Sequence, residues 1–125
     1  MERKFDRVKN LDSYRVAYAI SNQVWKIVKN WDYFSQSTIG NQFVRSTDSI
    51  SANIAEGFGR YTKKDKIRFY RIAYASTLES LDWMTKIEER ALLKPLEVKR
   101  IKEDLEQLPK LINQLIQYTN KKLRF

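Results

Sequence analysis

Arg45, Ser49, Asn53, Glu56 and Arg60 recur at spacings of 4, 4, 3 and 4 in the run RSTDSISANIAEGFGR. On a helix, at about 100° per residue, these side chains share one stripe roughly 80° wide. The chemistry open to such a set is that of a carboxylate between guanidiniums. Glu56 would contact or activate a ligand, Arg45 and Arg60 would hold an anion, and Glu79 from the next helical segment would complete a carboxylate pair. The apolar stripe of the same helix (Ile39, Phe43, Ile50, Ile54, Phe58) is centred roughly 110° away. The polar stripe therefore flanks the buried face. A seam there that carries both charge signs is a hydrogen-bonded network, an interface or a site.

What the chain lacks narrows the choice. It contains no histidine and no cysteine. That removes the commonest general base at neutral pH, the commonest zinc ligand and every thiolate mechanism. The helical di-iron pattern, which needs Glu-x-x-His, is excluded, and only an all-carboxylate Mg²⁺ site stays open. No catalytic residue, metal or cofactor is therefore assigned, and the chain reads as non-enzymatic. The seam reads as a structural polar network of Arg45, Ser49, Asn53, Glu56, Arg60 and Glu79, because buried charges persist only when paired. On this reading Glu56→Ala costs about 3–5 kcal/mol by stranding a buried arginine.

The GFG at 57–59 looks like a fragment of a phosphate loop. It ends a helix and follows no strand, so the glycines read as close packing and as capping, at a helix C-terminus wanting a residue with φ > 0.

The elements that must position these residues are helical. A length of 125 residues suits one domain, here residues 1–125. Apolar residues at 42% argue for a packed core, and 3 Gly and 2 Pro are few for a loop-rich or all-β fold. Helical spacing predicts segments over about Ser13 to Trp31, Ser37 to Phe58, Lys63 to Ala91, and from Pro95 onward. Asp12 or Ser13 would cap the first, DYFSQST would break the pattern, and Thr62 with Asp65 would cap the third. The last segment carries Ile101, Leu105, Leu108, Ile112, Leu115, Ile116 and Leu123 on one stripe, with a kink expected before Pro109. The fold class is all-α, an antiparallel up-down-up-down four-helix bundle.

Two faces look too apolar for one chain to cover. The third segment has Ile67, Tyr70, Tyr74, Leu78, Leu81 and Met84 on one side. On the other it has Phe69, Ile72, Ser76, Glu79, Trp83 and Ile87, which points to a homo-oligomer. The first segment carries a second stripe of Leu11, Tyr14, Tyr18 and Trp25, read as core or subunit interface rather than a base-stacking platform.

The net charge of +9 favours polyanionic partners. Its densest expression is RYTKKDKIRFYR, from Arg60 to Arg71, with six cations against one acid. Arg60, Lys63, Lys64, Lys66, Arg68 and Arg71 are the candidate RNA- or DNA-binding residues, interleaved with aromatics as phosphate contact and base stacking require, although by spacing the rings of Phe69 and Tyr70 read as core. Lys63 and Lys64 sit at a helix N-terminus, where the macrodipole disfavours cations. Arg3, Lys4, Arg7, Lys9, Lys121, Lys122 and Arg124 would extend the surface at the chain ends. No apolar run is long enough to span a membrane and no signal peptide is visible, so a cytoplasmic location is expected.

The residues Arg45, Ser46, Ser49, Ile50, Asn53, Ile54, Ala55, Glu56 and Gly57, then Phe69, follow the pattern R-S-x-x-S-I-x-x-N-I-A-E-G, a loop and an aromatic. Ala73, Ser76 and Glu79 follow A-x-x-S-x-x-E. In both, the chain resembles the four-helix-bundle family encoded in 23S rRNA intervening sequences, to which the accessory protein of diversity-generating retroelements looks related. Ala75 stands where that family usually has Gly. The resemblance implies a ring-like homopentamer. Through the retroelement relative it also implies a basic surface that engages nucleic acid and a reverse transcriptase.

Overall fold

The computed structural model describes residues 4–124. In order, the elements are α1 (Lys4–Val8), α2 (Asp12–Val28), α3 (Tyr33–Ser35), a π-helical turn (Gln36–Gly40), α4 (Asn41–Gly59), α5 (Lys63–Glu89) and α6 (Pro95–Lys122). No strand occurs among the described residues. α4 packs against α2 and α5, and α6 packs against the same two helices, so the four long helices close around one core.

Periodicity explains the core. Ala17, Ile20, Val24 and Val28 of α2 are buried at spacings of 3, 4 and 4, and Ile101, Leu105, Leu108 and Ile112 of α6 are fully buried. α6 continues through Pro109 to Lys122, and Leu123 lies past its end, 38% exposed. Its first turn is fixed by Pro95 and by Glu97, whose Oε1 accepts the Lys94 backbone N–H at 3.1 Å.

Several boundaries differ from the sequence expectation. α1 lies outside the expected segments; it is held by Val8, which is 1% exposed. Leu11, with no side-chain cap bond, occupies the N-cap of α2, and Asp12 is the first helical residue, where its charge suits the dipole and its carboxylate binds Arg15. The stretch DYFSQST, expected to break the helix, starts it. Asp32 Oδ1 accepts the Ser35 N–H at 3.0 Å and Oδ2 the Ser35 hydroxyl at 2.9 Å. Those bonds, the backbone one first, hold the Asp32 carboxyl below its usual range. Gln36 Nε2 donates to Val28 O at 3.0 Å and Lys29 O at 2.8 Å, satisfying carbonyls left open at the end of α2. A Cβ on Gly40 would lie 2.8 Å from Val28 Cγ1, so the π turn approaches α2 more closely than any larger residue allows.

The tightest joint lies between α4 and α5. Ser46 Oγ is 2.9 Å from Ser80 Oγ, and Ser49 Oγ is 2.9 Å from Ser76 Oγ. A step forward along α4 is matched by a step back along α5, so the two helices run in opposite directions. Farther along, a Cβ on Gly57 would meet the Tyr70 ring at 2.7 Å and Lys66 O at 2.9 Å. Ser80, Thr47 and Thr77 have no exposed surface, and each hydroxyl binds a carbonyl one turn back in its own helix. Tyr70 is 1% exposed, and burial pushes its phenol up to about 12. Small polar residues thus let the backbones approach while each of these hydroxyls keeps a partner.

The glycine expectation holds for close packing at Gly57 and is corrected for capping. No glycine has positive φ; α4 ends at Gly59, followed by an extended Arg60 (φ −74°, ψ 156°). The residue in the left-handed region is Ala91 (φ 54°). It ends α5 in a Schellman turn, with Leu92 N bonded to Ile87 O and Ala91 N to Glu88 O, both at 3.1 Å.

The two glycines near the end of α4 should respond oppositely to alanine. Gly57→Ala should destabilise by about 1–3 kcal/mol through the clash at Tyr70. Gly59→Ala, with nothing within 4 Å of its Cβ, should be neutral or stabilise by up to about 1 kcal/mol. Ala91→Gly should stabilise by roughly 0.5–1 kcal/mol by relieving the positive φ. Denaturant midpoints of the three variants measure each change.

Candidate nucleic-acid interface

The six cations expected to act together divide into two groups. Lys66 and Arg60 are turned inward. Lys66 Nζ donates to Phe58 O at 2.7 Å, closing a carbonyl at the end of α4. Its pKa is lowered, first by desolvation and then by the nearby charge of Lys4. Arg60 places its guanidinium 4.6 Å from the centroid of the Phe69 ring, with Nε 3.3 Å from Glu56 Oε2. That Nε is buried and makes no hydrogen bond, so the ion pair and the ring face are what offset its desolvation. These two side chains tie the start of α5 to the end of α4.

The other four face outward. Lys63, Lys64, Ile67, Arg68, Arg71 and Asn120 line one groove of about 450 Å³. The Arg68 guanidinium also lies 4.6 Å from the centroid of the Phe69 ring, and its Nε is 3.8 Å from Asp65. Lys63 Nζ donates to Asn120 O at 3.2 Å, in the last turn of α6. Lys64 and Arg71 are exposed.

These contacts explain how lysines tolerate a helix N-terminus. Of the three lysines at the start of α5, two reach carbonyls at the C-terminal ends of neighbouring helices, Lys66 on α4 and Lys63 on α6. Negative dipole ends beside the α5 start offset its own positive one. The same contacts gather charge at one end of the molecule. Lys63 brings α5 beside the turn that carries Lys121 and Lys122, and Lys66 lies near Lys4 of α1. Arg7, Lys9 and Arg124 are also exposed, and Arg3 lies outside the described residues.

The polar seam is not one network. Ser49 accepts from Asn53 Nδ2 at its backbone oxygen (2.8 Å) and its hydroxyl (2.9 Å), and reaches Ser76. Glu56 and Arg60 form a separate pair with side chains 52% and 42% exposed. Arg45 is exposed, and Glu79 is exposed and accepts from Trp83 Nε1 at 3.3 Å. The two carboxylates are therefore drawn to different partners and do not meet. Among the described residues, no group of three or more acidic side chains converges as a metal site would need. The buried part of the seam belongs to Ser46 and Ser80, which charge-centred reasoning passed over. Their signal was present in helical spacing: 46 and 49 on one helix, 76 and 80 on the next.

Two further expectations shift. Tyr14 is buried in the core and Leu11 packs against it, but Tyr18 and Trp25 are 54% and 57% exposed, so only part of that stripe is core within the chain. Tyr70 is core, whereas Phe69 is only half-buried, held at the surface by its two arginines.

Because Glu56 is exposed, Glu56→Ala should change stability by at most about 1 kcal/mol, well below the cost of a buried pair. Thermal melts of this variant beside Ser80→Val, which removes the donor to Ser46 from α5 and leaves that hydroxyl only its bond to Phe43 O, would separate the charged pair from the buried lock.

A family model for 23S rRNA-intervening sequence protein matches residues 9–114. The structure is similar to a crystal structure from Bacteroides thetaiotaomicron, a protein with unknown function from the S23 ribosomal protein family. The TM-score is 0.75 at 20% sequence identity, over 84% of this chain and 98% of that one. No curated protein matches. At that identity the likeness is one of fold, while the family match runs from before α2 into α6. The chain belongs to the 23S rRNA-intervening sequence protein family.

Proposed function

We propose that the chain is a non-enzymatic, antiparallel up-down-up-down bundle of α2, α4, α5 and α6. It works as a homo-oligomer, a pentamer by its family resemblance, and binds RNA or DNA through its basic end. Such a protein would serve as an accessory to a nucleic-acid enzyme such as a reverse transcriptase, in the cytoplasm. The observation that carries the nucleic-acid reading is the groove lined by Lys63, Lys64, Arg68 and Arg71. It adjoins the lysine-bearing end of α6, and Asp65 stands against Arg68 at its edge. Cations held near one another displace condensed counterions from a phosphate backbone, which makes affinity salt-dependent. No helix among the described residues is long and apolar enough to cross a membrane, so lipid insertion has no helical span to use.

Support for self-association comes from α5. Ile72 is 39% exposed and Leu78 50%, so each of the two apolar stripes of this helix leaves a large side chain uncovered. A second reading, a protein–protein scaffold without a nucleic-acid role, draws on Tyr33 and Phe34, which are 83% and 74% exposed beside the π turn. It requires a protein partner that stays bound at high salt after nuclease treatment.

Fluorescence anisotropy with labelled RNA and DNA should show binding that weakens steeply with salt. Lys64→Gln with Arg71→Gln should flatten the log–log salt slope, by about 0.7 on single strands for each phosphate no longer neutralised. Absence of binding at low salt would sink the nucleic-acid reading. In sedimentation, Ile72→Asp with Leu78→Asp should shift an oligomer toward single chains; a wild type that already sediments as one chain overturns the oligomer.

A further inference from the structure

The basic end continues into a cleft of different chemistry. Phe5, Lys9, Tyr14, Arg15 and Tyr18 line about 520 Å³ between α1 and the first turns of α2. Tyr14 and Tyr18 are stacked, with ring centroids 5.8 Å apart and planes at 23°. Tyr14 is buried and anchors the pair, while Tyr18 is 54% exposed and Phe5 53%. Tyr18 is thus fixed from beneath by Tyr14, and Phe5 adds a second exposed ring to the cleft. Lys9 Nζ stands 5.1 Å from the centroid of Phe5. It is 4.0 Å from the half-buried Asp6, and Arg15 is paired with Asp12 in an exposed surface pair of the kind that holds weakly.

Position supplies the rest. Lys4, on the same short helix as Phe5, lies close enough to Lys66 for their charges to interact, and α1 packs on α4. The cleft is therefore next to the basic end, with cations leading up to it. Aromatic faces beside a cationic track are what single-stranded nucleic acid requires, since its unpaired bases can leave the strand to stack. A duplex keeps its bases stacked and offers no free base face. Resting on the nucleic-acid reading above, we propose that this cleft is a stacking site for bases of a single strand whose phosphates follow the basic end.

The probes are a labelled oligouridylate of about 16 nucleotides, the upper range for compact single-strand sites, and an RNA duplex of similar length. Tyr18→Ala and Phe5→Ala should each weaken single-strand binding by roughly tenfold. Duplex affinity and the salt slope should stay unchanged, because every cation that meets a phosphate remains in place. Tyr18→Trp should bind as the wild type does, since any stacking ring suffices. If the wild type binds both probes and neither alanine variant weakens single-strand affinity, the stacking site is wrong and the basic interface stands. If the wild type binds neither probe, the interface itself is wrong and takes the cleft with it. If Tyr18→Ala instead changes the sedimenting species, the cleft is an interface between copies, and the proposal is overturned.

Discussion

The close approach of α4 and α5 is the constraint on which the rest of the molecule depends. Ser46 on Ser80 and Ser49 on Ser76 bring the two backbones together through side chains that are short and self-satisfying. Larger residues would hold the helices apart, and apolar ones of the same size would not set their register. The approach also makes Gly57 necessary, because the Tyr70 ring and the Lys66 carbonyl occupy the space a methyl group would need. Once this register is set, the first turn of α5 must lie against the last turn of α4. That placement presents Lys66 to Phe58 O and Arg60 to Phe69.

Charge in this protein follows from where helices end. The end of α4, the end of α6 and the start of α5 lie together. Two lysines of α5 bind carbonyls of the other two helices, so a cation-rich helix start sits among negative dipole ends. This arrangement accounts for Lys63 and Lys66 without any partner. It leaves Lys64, Arg68 and Arg71 facing outward at a positively charged end, and these three distinguish a surface suited to phosphate from ordinary helix capping. Phe69 serves both groups, with Arg60 on the inward side of the division and Arg68 on the outward side.

Much of this was legible in the chain, for reasons that can be stated residue by residue. The stripes of α2 and α6 were readable because a helix with one buried face imposes a period close to 3.6. Thr62 was readable as a cap because its hydroxyl meets Asp65 N within four residues of sequence, at 3.1 Å. The DYFSQST stretch misled because Asp32 and Ser35 cap a helix whose early turn is π-helical, and so shifts the phase of the pattern. Ala91 misled because left-handed φ is usually assigned to glycine, and here an alanine adopts it to complete a Schellman turn.

The sequence by itself determined helical class, approximate helix limits, a basic character and membership of a recognisable pattern. These depend on local periodicity, on composition and on side chains a turn apart. Tertiary structure alone decided which polar residues are buried. Glu56 and Ser46 lie on one helix near the same apolar stripe, yet the carboxylate is half exposed and the serine almost fully buried. The difference is set by α5, whose distance from each residue no helical wheel contains. For the same reason, Arg60, Lys63 and Lys66 became ties to neighbouring groups, and Lys64, Arg68 and Arg71 outward charges, only when the ends of α4 and α6 were in place beside them.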